Sequence, residues 1–218
     1  MFIIEYMTTP PVIISPETSI PEAGRILKDY HFRHLPVVGK DQRLIGMVTD
    51  RDIRSAYPST ILSPDEIRIF QAELEKTPVE TIMSIPRFEL FDFSTLDDAL
   101  IILDRENIGA LPVVDDSKKL IGIFSIRDLM AAYRKIFGLG ERGSSMIVIE
   151  EHDGRRNPLS RIAAILEEHN IRFTRLIRTE AVDNKPDRIY LRVNTYNISA
   201  VHNALREAGI TVVLPERR

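Results

Sequence analysis

Apolar residues recur along this chain with two different periods, and the alternation between them lays out the architecture. A helix from Ile20 to Tyr30 carries Ala23, Ile26 and Leu27, then Leu35-Pro-Val-Val38 and Leu44-Ile-Gly-Met-Val48 form short β-rich runs around a polar turn, and a second helix starts near Asp50. The same order returns downstream. Ser94-Thr95 offers an N-cap, Leu96, Ala99, Leu100 and Leu103 form an apolar stripe, Leu111 to Val114 and Leu120 to Phe124 read as strands around Asp115 to Lys119, and a helix runs from Ile126 to about Lys135. From Met146 the pattern changes to strand (Met146 to Glu150), helix (Pro158 to His169), strand (Phe173 to Thr179), strand (Arg188 to Asn194), helix (Ile198 to Ala208) and strand (Thr211 to Leu214). Ile189, Leu191 and Val193 alternate as a half-buried strand requires.

The recurrence is an internal duplication. Met7 to Tyr57 overlays Met83 to Tyr133 without a gap at a displacement of 76 positions. The copies share Met7/Met83, Pro10/Pro86, Leu35 to Val38 against Leu111 to Val114, Leu44-Ile-Gly46 against Leu120-Ile-Gly122, and Arg51-Asp52 against Arg127-Asp128. A unit of about fifty residues buries too little surface to be secure alone, so the two copies are expected to pack together sheet to sheet. Between them, Ser63-Pro-Asp-Glu66 has the grammar of a helix N-terminus, and Ile67, Phe70 and Leu74 give that connector one apolar face. After Phe137, Gly138 to Ser145 has the glycine content of a joint. The expected division is residues 1–60, a helical connector 61–78, residues 79–137, a linker 138–145 and a domain 146–218.

Composition narrows the chemistry. The 218 residues contain no cysteine, which removes disulfides, thiolate metal sites and thiol nucleophiles. A net charge of −3, from 29 basic and 32 acidic residues spread along the chain, argues against nucleic acid as a partner. Arg51 to Arg54 and Glu216-Arg-Arg218 read as solvated surface. No run is long enough for a bilayer, and the start lacks a secretory signal, so a cytoplasmic location is expected. His31, His34, His152, His169 and His202 lack metal-ligand spacing, and no nucleophile–base cluster is placed by motif, so no catalytic residue, metal or catalytic cofactor is expected.

One spacing stands out in both copies: Gly46-Met-Val-Thr49-Asp-Arg-Asp52 and Gly122-Ile-Phe-Ser125-Ile-Arg-Asp128. At a strand-to-helix junction the hydroxyl can meet a phosphate or ribose oxygen, and the carboxylate can accept from ribose hydroxyls. The same residues also suit a plain helix cap.

These residues, from the Met-Thr and Met-Ser starts through Leu-Pro-Val-Val to Gly-x-x-Thr/Ser-x-x-Asp, resemble the cystathionine β-synthase (CBS) domain, which commonly occurs as a tandem pair called a Bateman module. The resemblance implies clefts for AMP, ADP, ATP or S-adenosylmethionine as an effector. It implies Thr49 and Asp52 in one site and Ser125 and Asp128 in the other, base contacts at Met7, Thr8 and Val12 and at Met83, Ser84 and Phe88, and further contacts at Arg33 and His34 against Gly109 and Ala110. Phosphates need positive partners, so the site reached by Arg33 and His34 is expected to prefer di- or triphosphates, with the other weaker. His34 also reads as an ordinary strand-end histidine.

The last third has the βαββαβ order of ferredoxin-like folds. It resembles an ACT domain, the module of amino-acid-controlled enzymes, with Leu159 to Leu166 matching its first helix and Asn157 at the usual glycine position. Asn157 and Leu159 are thereby candidate amino-acid contacts, while a pairing domain is an equal reading. The whole α+β arrangement resembles the bacterial acetoin utilization protein family. It implies a non-enzymatic homodimeric sensor acting on a regulated protein; the alternative is an unliganded dimerisation scaffold.

Overall fold

A computed structural model describes residues 1–57, 63–151, 157–180 and 186–213. The chain divides into two compact units, Met1–Ala132 and Tyr133–Arg218. In the first copy, α1 (Ile20–Asp29) starts where the Ser19 hydroxyl accepts from the Glu22 N–H, with Pro21 in the opening turn. Its residues Ile20, Ala23 and Leu27 are buried against β1 (His34–Val38), β2 (Leu44–Thr49) and Ile53 of α2 (Asp50–Ala56). Next come α3 (Pro64–Leu74), β3 (Leu90–Phe91), α4 (Leu96–Arg105), β4 (Ala110–Val114), β5 (Leu120–Ser125) and α5 (Ile126–Phe137). On α3, Ser63 and Glu66 form a capping box, Leu74 is buried and Phe70 packs beside it; the Ile67 side chain and residues 58–62 lie outside the described residues. Within α4, Leu96, Ala99 and Leu103 are buried, but Leu100 is 39% exposed, because it sits at the edge of the helix stripe rather than on its centre line.

The duplication extends to the hydrogen-bond ladder. β1 and β2 pair antiparallel from His34↔Thr49 to Val38↔Leu44 with a slip at Val37/Val38, and β4 and β5 pair from Ala110↔Ser125 to Val114↔Leu120 with the slip at Val113/Val114. What binds the copies is exchange. Thr8 of the first leading segment pairs with Ile123 of the second copy, and Ser84 of the second leading segment pairs with Met47 of the first. The N–H of Thr8 donates to the Ile123 carbonyl at 2.9 Å and the Thr8 carbonyl accepts from the Ile123 N–H at 3.1 Å; between Ser84 and Met47 the two bonds are 2.9 and 2.8 Å. Farther out, Ile3 donates to Ser94 O and Val79 to Thr18 O, again as displaced equivalents.

This crossing explains the glycine of the repeated spacing. A Cβ at Gly122 would stand 2.6 Å from Met7 Sδ and 3.1 Å from the Thr8 carbonyl, and one at Gly46 would collide with Met83 Sδ. The glycines admit the other copy's leading segment.

In the second unit, β6 (Ser144–Glu151), β7 (Phe173–Thr179), β8 (Asp187–Asn194) and β9 (Thr211–Val213) form one sheet in the order β7-β8-β6-β9, with every neighbouring pair antiparallel. Helices α6 (Pro158–Glu168) and α7 (Ile198–Glu207) bring Ile162, Leu166, Val201 and Leu205 onto Ile147, Ile149, Ile189, Leu191 and Val193. Leu214, His152 and the Glu216 to Arg218 patch lie outside the described residues.

The boundary near Gly138 needs adjustment on both sides. Ser144 already pairs with Asn194, so β6 takes in the end of the expected linker. The last turn of α5 belongs to the second unit, where Arg175 donates to the carbonyls of Ile136 at 2.6 Å and Lys135 at 2.8 Å. Arg192, only 6% exposed, donates to Gly138 O at 3.3 Å and Ser144 Oγ at 2.9 Å. Two guanidinium groups thus satisfy carbonyls that a helix end leaves open.

Gly122→Ala and Gly46→Ala are each expected to destabilise the first unit by about 1–3 kcal/mol, since the clash involves main chain or a packed methionine. A lowered urea midpoint checks this.

Candidate functional site

A cavity of about 280 Å³ opens in the first unit. Its wall is drawn from both copies: Thr8, Pro11 and Val12 of the first leading segment, His31 to His34 ahead of and at the start of β1, Gly109 and Ala110 at the start of β4, Ile123 and Ser125 of β5, and Ile126, Arg127 and Asp128 in the first turn of α5. The antiparallel bridge of Thr8 with Ile123 is what carries the first copy's leading segment to the second copy's helix start.

The polar centre is an anchored carboxylate. Asp128 Oδ2 accepts from the Ser125 N–H at 2.8 Å and the Ser125 hydroxyl at 2.6 Å, while Asp128 Oδ1 accepts from the Thr8 hydroxyl at 3.4 Å. Asp52 Oδ2 likewise accepts from Thr49 N–H and Oγ1, at 2.8 and 2.7 Å, and Thr49 Oγ1 accepts from Asp52 N–H at 3.2 Å. Both motifs are therefore helix-capping boxes. Capping and ligand contact are compatible, because capping occupies Oδ2 and Asp128 Oδ1 meets only a long hydroxyl contact.

The cation placement differs from the sequence expectation. The family resemblance sets Arg33 and His34 against Gly109 and Ala110 as marks of two unequal sites, yet all four line this one cavity. The starts of β1 and β4 approach closely: a Cβ at Gly109 would stand 2.8 Å from His34 Cε1. Arg127 also lines the wall, its guanidinium donating to His31 O at 3.2 Å across the copies. The solvated-surface expectation for Arg51 to Arg54 does not carry over to Arg127, the equivalent of Arg51 in the second copy. The signal was present in the Arg-Asp pair shared by the two copies.

The other candidates sit elsewhere. Met7 lies on Gly122 and Met83 on Gly46, Ser84 is held in its bridge to Met47, and the Phe88 ring lies 5.8 Å from the Arg105 guanidinium carbon. None of these, nor Thr49 and Asp52, lines the cavity described above. In the second unit Asn157 adopts a left-handed backbone (φ 62°, ψ 53°) ahead of Pro158, and its side chain makes no capping hydrogen bond, since that backbone turns it away from the helix N–H groups. Leu159 packs against the core.

Electrostatics single out His34. Burial holds its pKa below the ordinary 6.5; Asp50 and Asp52 pull it upward, and Arg33 pushes it down. Among the described residues no group of three or more His, Asp or Glu could hold a metal, and no helix is long and apolar enough to cross a membrane.

Comparison with known families matches the CBS domain model at residues 3–59 and 79–135, more than half of the chain. The chain belongs to the CBS-domain family. Its CBS pair is 34% identical over 124 residues to a CBS domain-containing protein of Dictyostelium discoideum, spanning 84% of that protein. It is also 31% identical over 120 residues to the inosine-5'-monophosphate dehydrogenase of Aquifex aeolicus, but spans only 22% of that enzyme. Among solved structures, the CBS pair of protein MJ0100 in complex with 5'-methylthioadenosine and S-adenosyl-L-methionine aligns at TM-score 0.51 and 26% identity, over 62% of this chain and 98% of that one. CBSX2 of Arabidopsis thaliana in complex with AMP aligns at 0.52 and 25%, with the same coverage. A Vibrio cholerae protein ascribed to acetoin utilization shares the fold at TM-score 0.54 and 23% identity, over 65% of this chain and 96% of that one. CBS-pair relatives thus bind AMP or S-adenosylmethionine-related ligands.

Two measurements test the site's physics. Thr49→Ala and Ser125→Ala are each expected to cost about 1 kcal/mol of stability in denaturant unfolding, as capping losses do. Because folded His34 accepts its proton at lower pH than the unfolded chain, its stability contribution is complete above 6.5 and is lost as pH falls from there toward the folded value. The fall in thermal midpoint across that window should shrink in His34→Gln.

Proposed function

We propose that this chain is a ligand-sensing regulatory protein whose cavity takes an adenosine-containing effector. The supporting observation is the convergence, on one cavity wall built by both copies, of an anchored carboxylate, a hydroxyl and the cations Arg33 and Arg127. In this reading Asp128 accepts from ribose hydroxyls, Thr8, Val12 and the Gly109–Ala110 backbone frame the base, and Arg33, His34 and Arg127 face phosphate. By the displacement of the duplication, Thr49 and Asp52, with Met83, Ser84 and Phe88, would serve a second cleft, and Met7 would buttress the first. The likeness to CBS pairs complexed with AMP and with S-adenosylmethionine supports the ligand class.

The second unit's βαββαβ order and antiparallel sheet support an ACT-type regulatory domain. An amino-acid site at Asn157 and Leu159, a homodimer, a cytoplasmic setting, a regulated partner protein and a role in acetoin utilization complete the proposal. Regulation without catalysis is part of this proposal, and the likeness to ligand-binding CBS pairs supports it. Ligand-driven regulation is bounded by the difference in affinity between the two arrangements it selects.

One observation favours a second reading. Both aspartates are already engaged in capping boxes, which suits an interaction scaffold whose clefts stay unliganded. Calorimetric titration with AMP, ADP, ATP and S-adenosylmethionine separates the two. Asp128→Ala is expected to weaken binding at the cavity described above by about tenfold or more, the scale of a lost charge-assisted hydrogen bond. Undiminished affinity in both Asp52→Ala and Asp128→Ala would remove the site assignment.

A further inference from the structure

His34 stands on the cavity wall, and histidine is the side chain whose charge changes most readily near physiological pH. Its ring lies against Gly109, in space that a side chain there would fill, and among the described residues neither ring nitrogen has a hydrogen-bond partner. The groups around it come from four elements. His31 and Arg33 precede it on its own segment and line the same wall, and Asp50 and Asp52 act from the first turn of α2. Arg127 and Asp128 line the same cavity from α5, and Gly109 and Ala110 of the β4 start bring no charge. Two carboxylates, Asp52 and Asp128, are committed to capping boxes. The imidazole is therefore partly desolvated, its charged form is disfavoured by burial, and among the described residues its ring nitrogens have no hydrogen-bond partner.

We propose that His34 is a protonatable phosphate ligand: it takes up one proton from solvent when a phosphorylated adenosine derivative binds, so that the cavity selects phosphorylated over uncharged derivatives and holds them more tightly as pH falls. This deepens the nucleotide reading above and rests on it. The physical basis is charge compensation. A phosphate dianion beside the ring favours the imidazolium, which then donates a charge-assisted hydrogen bond, and Arg33 and Arg127 supply the remaining positive charge. Because burial disfavours the imidazolium in the unliganded cavity, a proton held on the ring in the complex is one taken up on binding.

The test is titration calorimetry of the full chain with AMP near pH 7.5, in buffers of small and large ionisation heat, with 5'-methylthioadenosine as the phosphate-free probe. The expected result is uptake of up to roughly one proton with AMP, none with 5'-methylthioadenosine, and an AMP affinity that rises by no more than about tenfold per pH unit lowered. In His34→Gln the uptake should vanish while AMP still binds. Should that variant fold poorly, the His34 imidazole resonances of the native protein give the same answer, their titration midpoint moving upward on addition of AMP. AMP binding with buffer-independent heat, or uptake that persists in His34→Gln, overturns the inference and leaves the nucleotide site standing. Failure of both probes to bind overturns the nucleotide reading and this inference with it.

Discussion

The exchange of leading segments is the constraint on which the first unit rests. Thr8 pairs with Ile123, Ser84 with Met47, and each of these antiparallel bridges is made by both main-chain bonds. Each copy completes its neighbour's β-structure, so the backbone groups of a short strand that would otherwise face solvent or bare core are satisfied by the other copy. A fifty-residue element with a two-stranded hairpin and two helices buries little; sharing strands gives the pair a single connected core. Gly46 and Gly122 are the steric condition for this arrangement, because only a missing Cβ leaves room for Met83 and Met7.

The same exchange builds the site. Without it, Thr8 and Val12 would lie on one copy and Ser125 and Asp128 on the other, and no wall would join them. The capping box then serves two purposes at once. It fixes the Asp128 carboxylate by two short bonds to Ser125, and it leaves the second oxygen toward the cavity, where the Thr8 hydroxyl meets it. A carboxylate held this way loses little rotamer freedom on meeting a ligand, which is the general advantage of a preorganised binding group.

Departures from the duplication carry as much meaning as its matches. The copies differ at Arg33 and His34 against Gly109 and Ala110, and this difference is what brings a histidine and an arginine to one side of a cavity and a bare backbone to the other. The small residues are the reason His34 fits at all, since its ring occupies the space beside Gly109. In the second unit the analogous economy is in the arginines. Arg175 and Arg192 use their planar, multiply donating heads to bind the carbonyls at the end of α5 and in the turn after it, a role a single lysine donor could not fill.

Much of this was legible in the residues alone. The 76-residue displacement, the hairpins around Gly39 to Arg43 and Asp115 to Lys119, the capped start of α3 and the βαββαβ order follow from hydrophobic period and local hydrogen-bonding grammar, which act over a few residues. The Gly-x-x-Thr/Ser-x-x-Asp spacing could be read equally as cap or as ligand contact, and both uses of Asp128 are open because they engage different oxygens. Tertiary structure alone decided that Arg33, His34, Gly109 and Ala110 share one cavity, that Arg127 belongs to its wall and that Thr49 and Asp52 do not. These depend on which copy's leading segment lies on which copy's sheet, a pairing between positions more than thirty residues apart that no local period records. It is set by where the missing Cβ atoms let two backbones come together.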